Sequence, residues 1–184
     1  MRIIGGKARG TKLYTLEGEN TRPTLDRVKE SLFNIVQNDI QDSVFLDLFS
    51  GSGAIGLEAV SRGAKKAILC DKSKEAIKVI RKNVEKTRFE NQVEIYCTDF
   101  ETLIKEKQKT VLDIVYIDPP YQTDYAYKAV KLLIEQRLIN ENTLIIIETD
   151  RKEILEDIEN LPITKIDERK YGRAQLIFLK KCEN

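Results

Sequence analysis

The chain has 184 residues, a net charge of +1 and no histidine. This length fits a single domain that buries its own core. Because Ser-His-Asp and Cys-His catalysis require histidine, both are excluded. Any reaction must therefore use carboxylates, backbone groups, aromatic rings or a cofactor.

The composition predicts a cytoplasmic protein without a metal site. No apolar run is long enough to cross a bilayer, and the first residues lack the apolar core of a signal peptide. Cys70, Cys97 and Cys182 are far apart and show no metal-ligand or redox spacing. We therefore expect reduced, mostly buried thiols, no metal and no membrane contact.

The first 40 residues are predicted to form an appendage on a main domain at 41–184. Residues 2–16 resemble a small hairpin, and Thr24 is predicted to cap a helix with an apolar stripe. The appendage is too short to be an independent domain. We expect it to pack on the main domain and to contribute RNA or cofactor contacts.

Basic residues are concentrated in this appendage. Local positive charge can hold a polyanion even when the whole chain is nearly neutral. The candidates for phosphate contacts are Arg2, Lys7, Arg9 and Arg22. Solvated charges on an ordinary surface explain the same pattern equally well.

The main domain alternates apolar strand segments with helical ones. Strands are predicted at 44–49, 67–70, 93–97, 112–117 and 143–148. Helices are predicted at 54–63, from a Ser73 cap onward, after residue 99, at 124–138 and at 151–158. This alternation predicts an α/β fold with a doubly wound, mainly parallel sheet. Segments 163–170 and 174–179 are joined by three residues and predict an antiparallel hairpin at one end of that sheet.

A glycine-rich loop lies between the first strand and the first helix of the main domain. Residues 51–56 read G-S-G-A-I-G and match G-x-G-x-x-G. Such glycines let the backbone approach a ligand where a Cβ would intrude. The motif occurs in dinucleotide and S-adenosylmethionine sites alike, and a purely structural turn is a third interpretation.

Two carboxylates near this loop narrow the choice of cofactor. Asp71 ends the second strand, where it can accept both ribose hydroxyls of either cofactor. Asp47 lies inside the first strand end, where it would repel a pyrophosphate but attract the ammonium and sulfonium of S-adenosylmethionine. Asp47 could also hold the backbone amides of the loop, and both roles can coexist.

The segment D-L-F-S-G-S-G at 47–53 resembles the D-x-F-x-G-x-G signature of class I methyltransferases. The resemblance implies a Rossmann-like methyltransferase fold and S-adenosyl-L-methionine as cofactor. It also implies that Asp99 holds the adenine amino group and that Phe100 packs on the ring. From the sequence alone, a helix N-cap is an equally good role for Asp99. The implied cofactor-binding set is Asp47, Phe49, Gly51, Gly53, Asp71, Asp99 and Phe100.

The tetrapeptide Asp118-Pro119-Pro120-Tyr121 directly follows the fourth strand. Two prolines fix the chain in an extended form at the sheet edge where α/β proteins bind ligands. The Asp118 carboxylate and the Pro119 carbonyl can each accept one N–H of an aryl amine, and Tyr121 can stack on its ring. These acceptors stabilise the positive charge that grows on nitrogen during methyl transfer. We assign all four residues to the catalytic site, since a merely structural turn does not require this combination.

The N-terminal blocks R-I-I-G-G and R-P-T-L-D-R-V-K-E resemble the bacterial 16S ribosomal RNA guanine-N2 methyltransferases of the RsmD family. The resemblance continues through both later motifs and covers essentially the whole chain. It implies N2-methylation of a guanine in 16S rRNA, within the small ribosomal subunit or a late assembly intermediate. The target base must be unpaired or flipped, because N2 lies on its Watson–Crick edge.

Three other functions share parts of this pattern. A dehydrogenase would use the glycine loop and Asp71 but not Asp-Pro-Pro-Tyr. A DNA or RNA adenine-N6 methyltransferase would keep the catalytic tetrapeptide. A non-catalytic ribosome-assembly factor would not need Asp118 at all.

Overall fold

The computed structural model describes residues 1–16, 23–106, 110–120, 123–150, 154–158 and 160–183. Arg22 and Tyr121, which the sequence places in the RNA-binding and catalytic sets, lie outside the described residues. No helix in these ranges is long and apolar enough to cross a membrane.

The strands and helices alternate as predicted. The strands are β1 (Val44–Asp47), β2 (Lys66–Asp71), β3 (Val93–Cys97), β4 (Ile114–Ile117), β5 (Leu144–Thr149), β6 (Ile163–Tyr171) and β7 (Ala174–Lys181). The helices are α1 (Pro23–Ile35), α2 (Ala54–Ser61), α3 (Lys74–Thr87), α4 (Phe100–Glu106), α5 (Tyr125–Glu135) and α6 (Ile154–Ile158).

In the described part of the chain these strands form one sheet in the order β3-β2-β1-β4-β5-β7-β6. The first five strands in that order are parallel, whereas β7 is antiparallel to both β5 and β6. The predicted Rossmann-like class I methyltransferase fold with a terminal antiparallel hairpin is therefore confirmed. The order reverses between β1 and β4, and α/β proteins bind ligands at such a switch point.

Several predicted element ends differ from the structure. The first strand ends at Asp47 rather than Phe49, because the chain turns there to begin the glycine loop. The fourth strand begins at Ile114, and the fifth helix ends at Glu135 rather than at residue 138. The Ser73 cap is confirmed, since its side chain accepts a hydrogen bond from the Ala76 amide.

The predicted cap at Thr24 is wrong. Helix α1 begins at Pro23, so Thr24 is its second residue. Proline suits the first helical position because its fixed φ fits a helix and it has no amide hydrogen to satisfy. The predicted apolar stripe is buried at Val28 and Leu32 of α1 and at Val36 directly after it, each at most 3% exposed.

Helix α1 packs on the same face of the sheet as α2. Its stripe shares a hydrophobic cluster with Phe45, Tyr116 and Phe178 of three different strands. Residues 2–13 fold back as the predicted small hairpin, with an antiparallel bridge between Arg2 and Lys12 and a hydrogen bond from the Ile3 amide to the Thr11 carbonyl. The N-terminal piece thus covers one face of the sheet, and a domain boundary at residue 40 remains a prediction.

Candidate active site

The candidate site lies at the carboxyl ends of β1, β2 and β4, at the switch point of the sheet. The loop after β1 turns sharply, with Gly51 at φ 51° and Gly53 at φ 78°. Gly56 lies on α2, where an added Cβ would come within 2.2 Å of the Leu69 side chain. Glycine is therefore needed here both for the turn and for close packing of α2 on β2.

Asp71 holds this loop against the end of β2. One carboxylate oxygen accepts the Gly51 amide at 2.9 Å, and the other accepts the Ser73 amide at 2.8 Å. Each oxygen retains a lone pair that can accept another donor. Asp71 is thus fixed in position at the edge of a cavity, as its predicted ribose-binding role requires.

Asp47 has a different environment. Its side chain is only 1% exposed, and neither carboxylate oxygen has a hydrogen-bond partner among the described residues. The Ser50 hydroxyl donates instead to the Asp47 backbone carbonyl, at 2.9 Å. Burial raises the pKa of Asp47 to about 7, opposed by the nearby Phe49 amide. The Gly51 amide is held by Asp71, whereas the Phe49 and Gly56 amides lie near enough to Asp47 to lower its pKa, so the interpretation that Asp47 holds loop amides stays a prediction.

Two cavities meet at the switch point. The larger cavity has a volume of about 430 Å³. It is lined by residues from the ends of β1 to β4, among them Asp71, Asp99, Phe100, Pro119 and Pro120. The smaller cavity has a volume of about 130 Å³ and lies beneath α1. Its lining includes Lys29, Asp47, Tyr116 and Glu148.

Asp118 lines both cavities, as do Phe49 and Gly51. It is exposed and directly follows β4. The Thr123 hydroxyl donates to the Pro120 carbonyl at 2.8 Å and so supports the chain beyond the two prolines. The sequence predicted that Asp118 stands at the ligand-binding edge, and the structure places it at the junction of the two cavities.

Three aromatic rings form one wall of the larger cavity. Phe49 lies 5.3 Å from Phe100 and 6.3 Å from Tyr125 between ring centroids, and Phe100 lies 5.2 Å from Tyr125. Only about 5% of Phe100 is exposed, so most of its surface is used in this packing. Tyr125 was not predicted from the sequence, because its position as the first residue of α5 gives no signal of its own.

Asp99 acts as the N-cap of α4. Its carboxylate accepts the Thr102 amide at 2.9 Å and the Thr102 hydroxyl at 2.8 Å. These hydrogen bonds lower the pKa of Asp99. Asp99 also lines the larger cavity, so capping α4 does not prevent it from contacting a ligand there. Its contact with the adenine amino group stays a prediction.

The smaller cavity contains a carboxylate that the sequence analysis missed. Glu148 lies near the end of β5, and one of its oxygens accepts a hydrogen bond from the buried Tyr116 hydroxyl. Burial raises the pKa of Glu148, and burial together with Glu148 and Asp118 raises the pKa of Tyr116. Part of the signal was available, since Glu148 was predicted to end the fifth strand, but the pairing of that strand with β4 comes from the structure.

The N-terminal segment is attached through the fully buried carboxylate of Glu58 on α2. It accepts the Ile4 amide at 2.8 Å and the Gly5 amide at 2.7 Å. It also forms ion pairs with Lys29 at 3.4 Å and with Arg62 at 2.8 Å. This arrangement ties the N-terminal loop and α1 to α2, with α1 above the smaller cavity.

The basic residues of the N-terminal loop differ in whether they contact other residues of the chain. Arg2, Lys7 and Arg9 are exposed. The Lys7 ammonium donates to Gln92 at 2.6 Å and lies 4.8 Å from the centroid of the Phe89 ring. Lys7 therefore already has internal partners, and phosphate binding by these residues remains a prediction.

Two expectations from composition can be compared with the structure. Cys70 is buried, but Cys97 is exposed and Cys182 is half-buried, so the prediction of mostly buried thiols is wrong. All three are free. In the described ranges, no group of three or more cysteine or acidic residues is arranged to hold a metal ion.

Comparison with known proteins places this geometry in a family. Residues 1–180 match the family model described as Conserved hypothetical protein 95. A protein named Ribosomal RNA small subunit methyltransferase D from Haemophilus influenzae is 38% identical over 167 residues, covering 90% of this chain and 86% of the relative. The chain belongs to this family.

Other members of the family agree in sequence and in fold. The Escherichia coli protein named Ribosomal RNA small subunit methyltransferase D is 35% identical over 82% of this chain and 75% of its own length. A solved structure titled "Putative methyltransferase yhhF from Escherichia coli" superposes with a TM-score of 0.86 at 29% identity, covering 100% of this chain and 99% of that one. The resemblance to the RsmD family is thereby confirmed.

Proposed function

We propose that this protein transfers a methyl group from S-adenosyl-L-methionine to N2 of a guanine in 16S rRNA of the small ribosomal subunit. The observation that carries the proposal is the position of Asp118, at the junction of a cavity suited to the methyl donor and a second cavity beneath α1. The names of the family's curated members support a small-subunit ribosomal RNA as substrate.

The residues around the two adjoining cavities fit this cofactor. The buried Asp47 carboxylate has no partner among the described residues, and a cationic ligand would satisfy it. Asp71 keeps lone pairs for ribose hydroxyls, and the aromatic wall offers a surface for a purine ring. A pyrophosphate would meet the Asp47 carboxylate unfavourably, which argues against a nicotinamide cofactor.

The chain's own groups position the guanine and stabilise developing charge. None of them forms a covalent bond with the substrate. S-adenosyl-L-methionine, when bound, supplies an activated methyl group as a sulfonium. The Asp118 carboxylate and the Pro119 carbonyl accept the two N–H groups of the guanine amine and hold the nitrogen toward the donor. They also stabilise the positive charge that develops on that nitrogen. The amine loses its extra proton to solvent after transfer.

The substrate must present an unpaired guanine, because N2 is engaged in a base-paired helix. Loop RNA meets this condition at low cost. Exposed Arg2 and Arg9 are available to contact phosphates beside the flipped base, and Tyr121 would stack on it. We place the reaction in the cytoplasm, on the assembled subunit or a late assembly intermediate.

The competing function with the same residues is methylation of adenine N6. Mapping ribosomal RNA modifications by mass spectrometry, in cells with and without the protein, distinguishes the two. We expect one N2-methylguanine in 16S rRNA to disappear when the protein is absent. Loss of an N6-methyladenine instead, or activity of the purified protein on DNA alone, would overturn the proposal.

A binding-only role is tested by cofactor calorimetry together with a catalytic variant. We expect S-adenosyl-L-methionine to bind and NAD not to bind. Small subunits from a strain that carries Asp118→Ala should lack the methyl group. A strain that keeps normal methylation with this variant would show that another protein performs the reaction.

A further inference from the structure

We propose that Glu148 selects guanine by accepting a hydrogen bond from its N1–H. This inference rests on the proposed function, because it concerns the base held at Asp118. Guanine presents an N1–H donor beside the N2 amine, whereas an adenine-like edge presents an unprotonated N1 that can only accept. A carboxylate beside Asp118 therefore favours the guanine edge and repels the adenine-like edge.

The sheet register places Glu148 beside Asp118. In the parallel pairing of β4 with β5, Tyr116 lies opposite Ile146 and Ile117 opposite Ile147. The next positions along the two strands are Asp118 and Glu148. Neighbouring strands are about 4.8 Å apart, a spacing that lets two acceptors contact adjacent donors on one base edge. Both residues line the smaller cavity, whose volume is about 130 Å³.

Among the described residues, only one of the two Glu148 carboxylate oxygens has a hydrogen-bond partner. The Tyr116 hydroxyl, itself almost fully buried, donates to one carboxylate oxygen. The other oxygen makes no hydrogen bond or ion pair with any residue in the described ranges. A single anchored oxygen fixes the orientation of the carboxylate and leaves the second available to a ligand.

Selectivity arises because a wrong base leaves the Glu148 acceptor without a donor. A site built to hydrogen-bond a donor strongly rejects an analogue that lacks it. Glu148 facing an unprotonated N1 would place two acceptors against each other. The proposed step moves no atom, since Glu148 binds and orients the base while Asp118 and Pro119 hold the reacting nitrogen.

The test uses RNA with guanine or 2-aminopurine at the mapped target position, assembled into small subunits. Both bases carry the exocyclic amine, but 2-aminopurine lacks the N1–H. We expect the wild type to prefer guanine by roughly 10- to 100-fold in kcat/KM, the range of one good base-edge contact. Glu148→Gln should lower activity on guanine and raise activity on 2-aminopurine relative to guanine, since the amide can donate to N1.

Glu135→Gln is the matched control, because it makes the same substitution at a half-exposed glutamate outside both cavities. We expect this variant to retain the preference for guanine, with cofactor affinity unchanged in both variants. If Glu148→Gln lowers activity on both bases by the same factor, Glu148 has only a structural role. The inference about Glu148 then fails, while the proposed function stands. If the wild type methylates neither base at N2, the proposed function fails together with it.

Discussion

The Glu58 carboxylate accepts the Gly5 amide at 2.7 Å, although 53 residues separate them in the chain. The same carboxylate accepts the Ile4 amide and pairs with Lys29, which is only 3% exposed. Burial lowers the pKa of Lys29, while Glu58 opposes that effect. One fully buried acid therefore joins the N-terminal loop, α1 and α2.

Replacing Glu58 should strongly destabilise the protein. Glu58→Ala leaves the buried Lys29 ammonium without its counter-ion and two backbone amides without their acceptor, which we expect to cost about 3–5 kcal/mol in the free energy of unfolding. Urea unfolding measures the change. Glu135→Ala is the control, because the pair of Glu135 with Lys131 is half-exposed and should contribute less than about 1 kcal/mol. Similar losses in both variants would contradict the role assigned to Glu58.

Gly6 should not tolerate a side chain. It adopts φ 74°, and an added Cβ would lie 1.8 Å from the Ser61 carbonyl oxygen. Gly6→Ala should therefore destabilise the protein by more than about 2 kcal/mol, through strain and displacement of the loop. Gly10 also has a positive φ, of 87°, but an added Cβ would meet nothing within 4 Å. Gly10→Ala should cost only about 1 kcal/mol in thermal or urea unfolding, and equal effects would contradict this explanation.

The buried Asp47 should make stability depend on pH. Its pKa rises from an ordinary 3.8 to about 7 in the folded protein, so the folded state binds the proton more tightly than the unfolded state. Without cofactor, the contribution of Asp47 to stability is therefore fully present below about pH 4. It is lost as pH rises toward about 7 and then stays constant. Asp47→Asn should reduce the change in unfolding free energy between about pH 4 and pH 7, as measured by urea unfolding at several pH values. An unchanged pH dependence in the variant would rule out Asp47 as its cause.

Cofactor binding should release a proton from Asp47. A cationic ligand favours the charged carboxylate, so the affinity for S-adenosyl-L-methionine should rise as pH increases from about 5 to 7. Calorimetry in buffers of different ionisation enthalpy measures the released proton directly. Asp47→Asn should bind the cofactor at least about 10-fold more weakly and release no proton from this site. Equal proton release in the variant would assign the titration to another group.

Asp118 should be needed for methyl transfer and not for cofactor binding. Asp118→Ala removes one of the two acceptors for the amine, so we expect kcat to fall by about 10²- to 10³-fold or more. Calorimetry should show nearly unchanged cofactor affinity. Asp124→Ala serves as control, because Asp124 is exposed and pairs with Lys128 at 3.0 Å, outside both cavities. A comparable loss in Asp124→Ala would mean that the effect comes from the local loop.

Sequence reasoning identified the motifs because each one has a local cause. The glycines of the loop after β1, the prolines after β4 and the Ser73 cap depend on backbone conformation within a few residues. The alternation of apolar segments predicted the parallel sheet, since buried strands and amphipathic helices differ in period. Strand and helix ends were less accurate, because a neighbour elsewhere in the chain decides where pairing stops.

What the sequence by itself determined is the class of fold and the glycine loop, and it predicted an acceptor pair at Asp118 and Pro119. Only the tertiary structure decided which carboxylates are free for a ligand. Asp71 holds the loop, Asp47 is buried without a partner among the described residues, and Glu148 lies beside Asp118 in the lining of one cavity. The physical reason is that burial and hydrogen bonding depend on chain segments that the sheet brings together from distant positions.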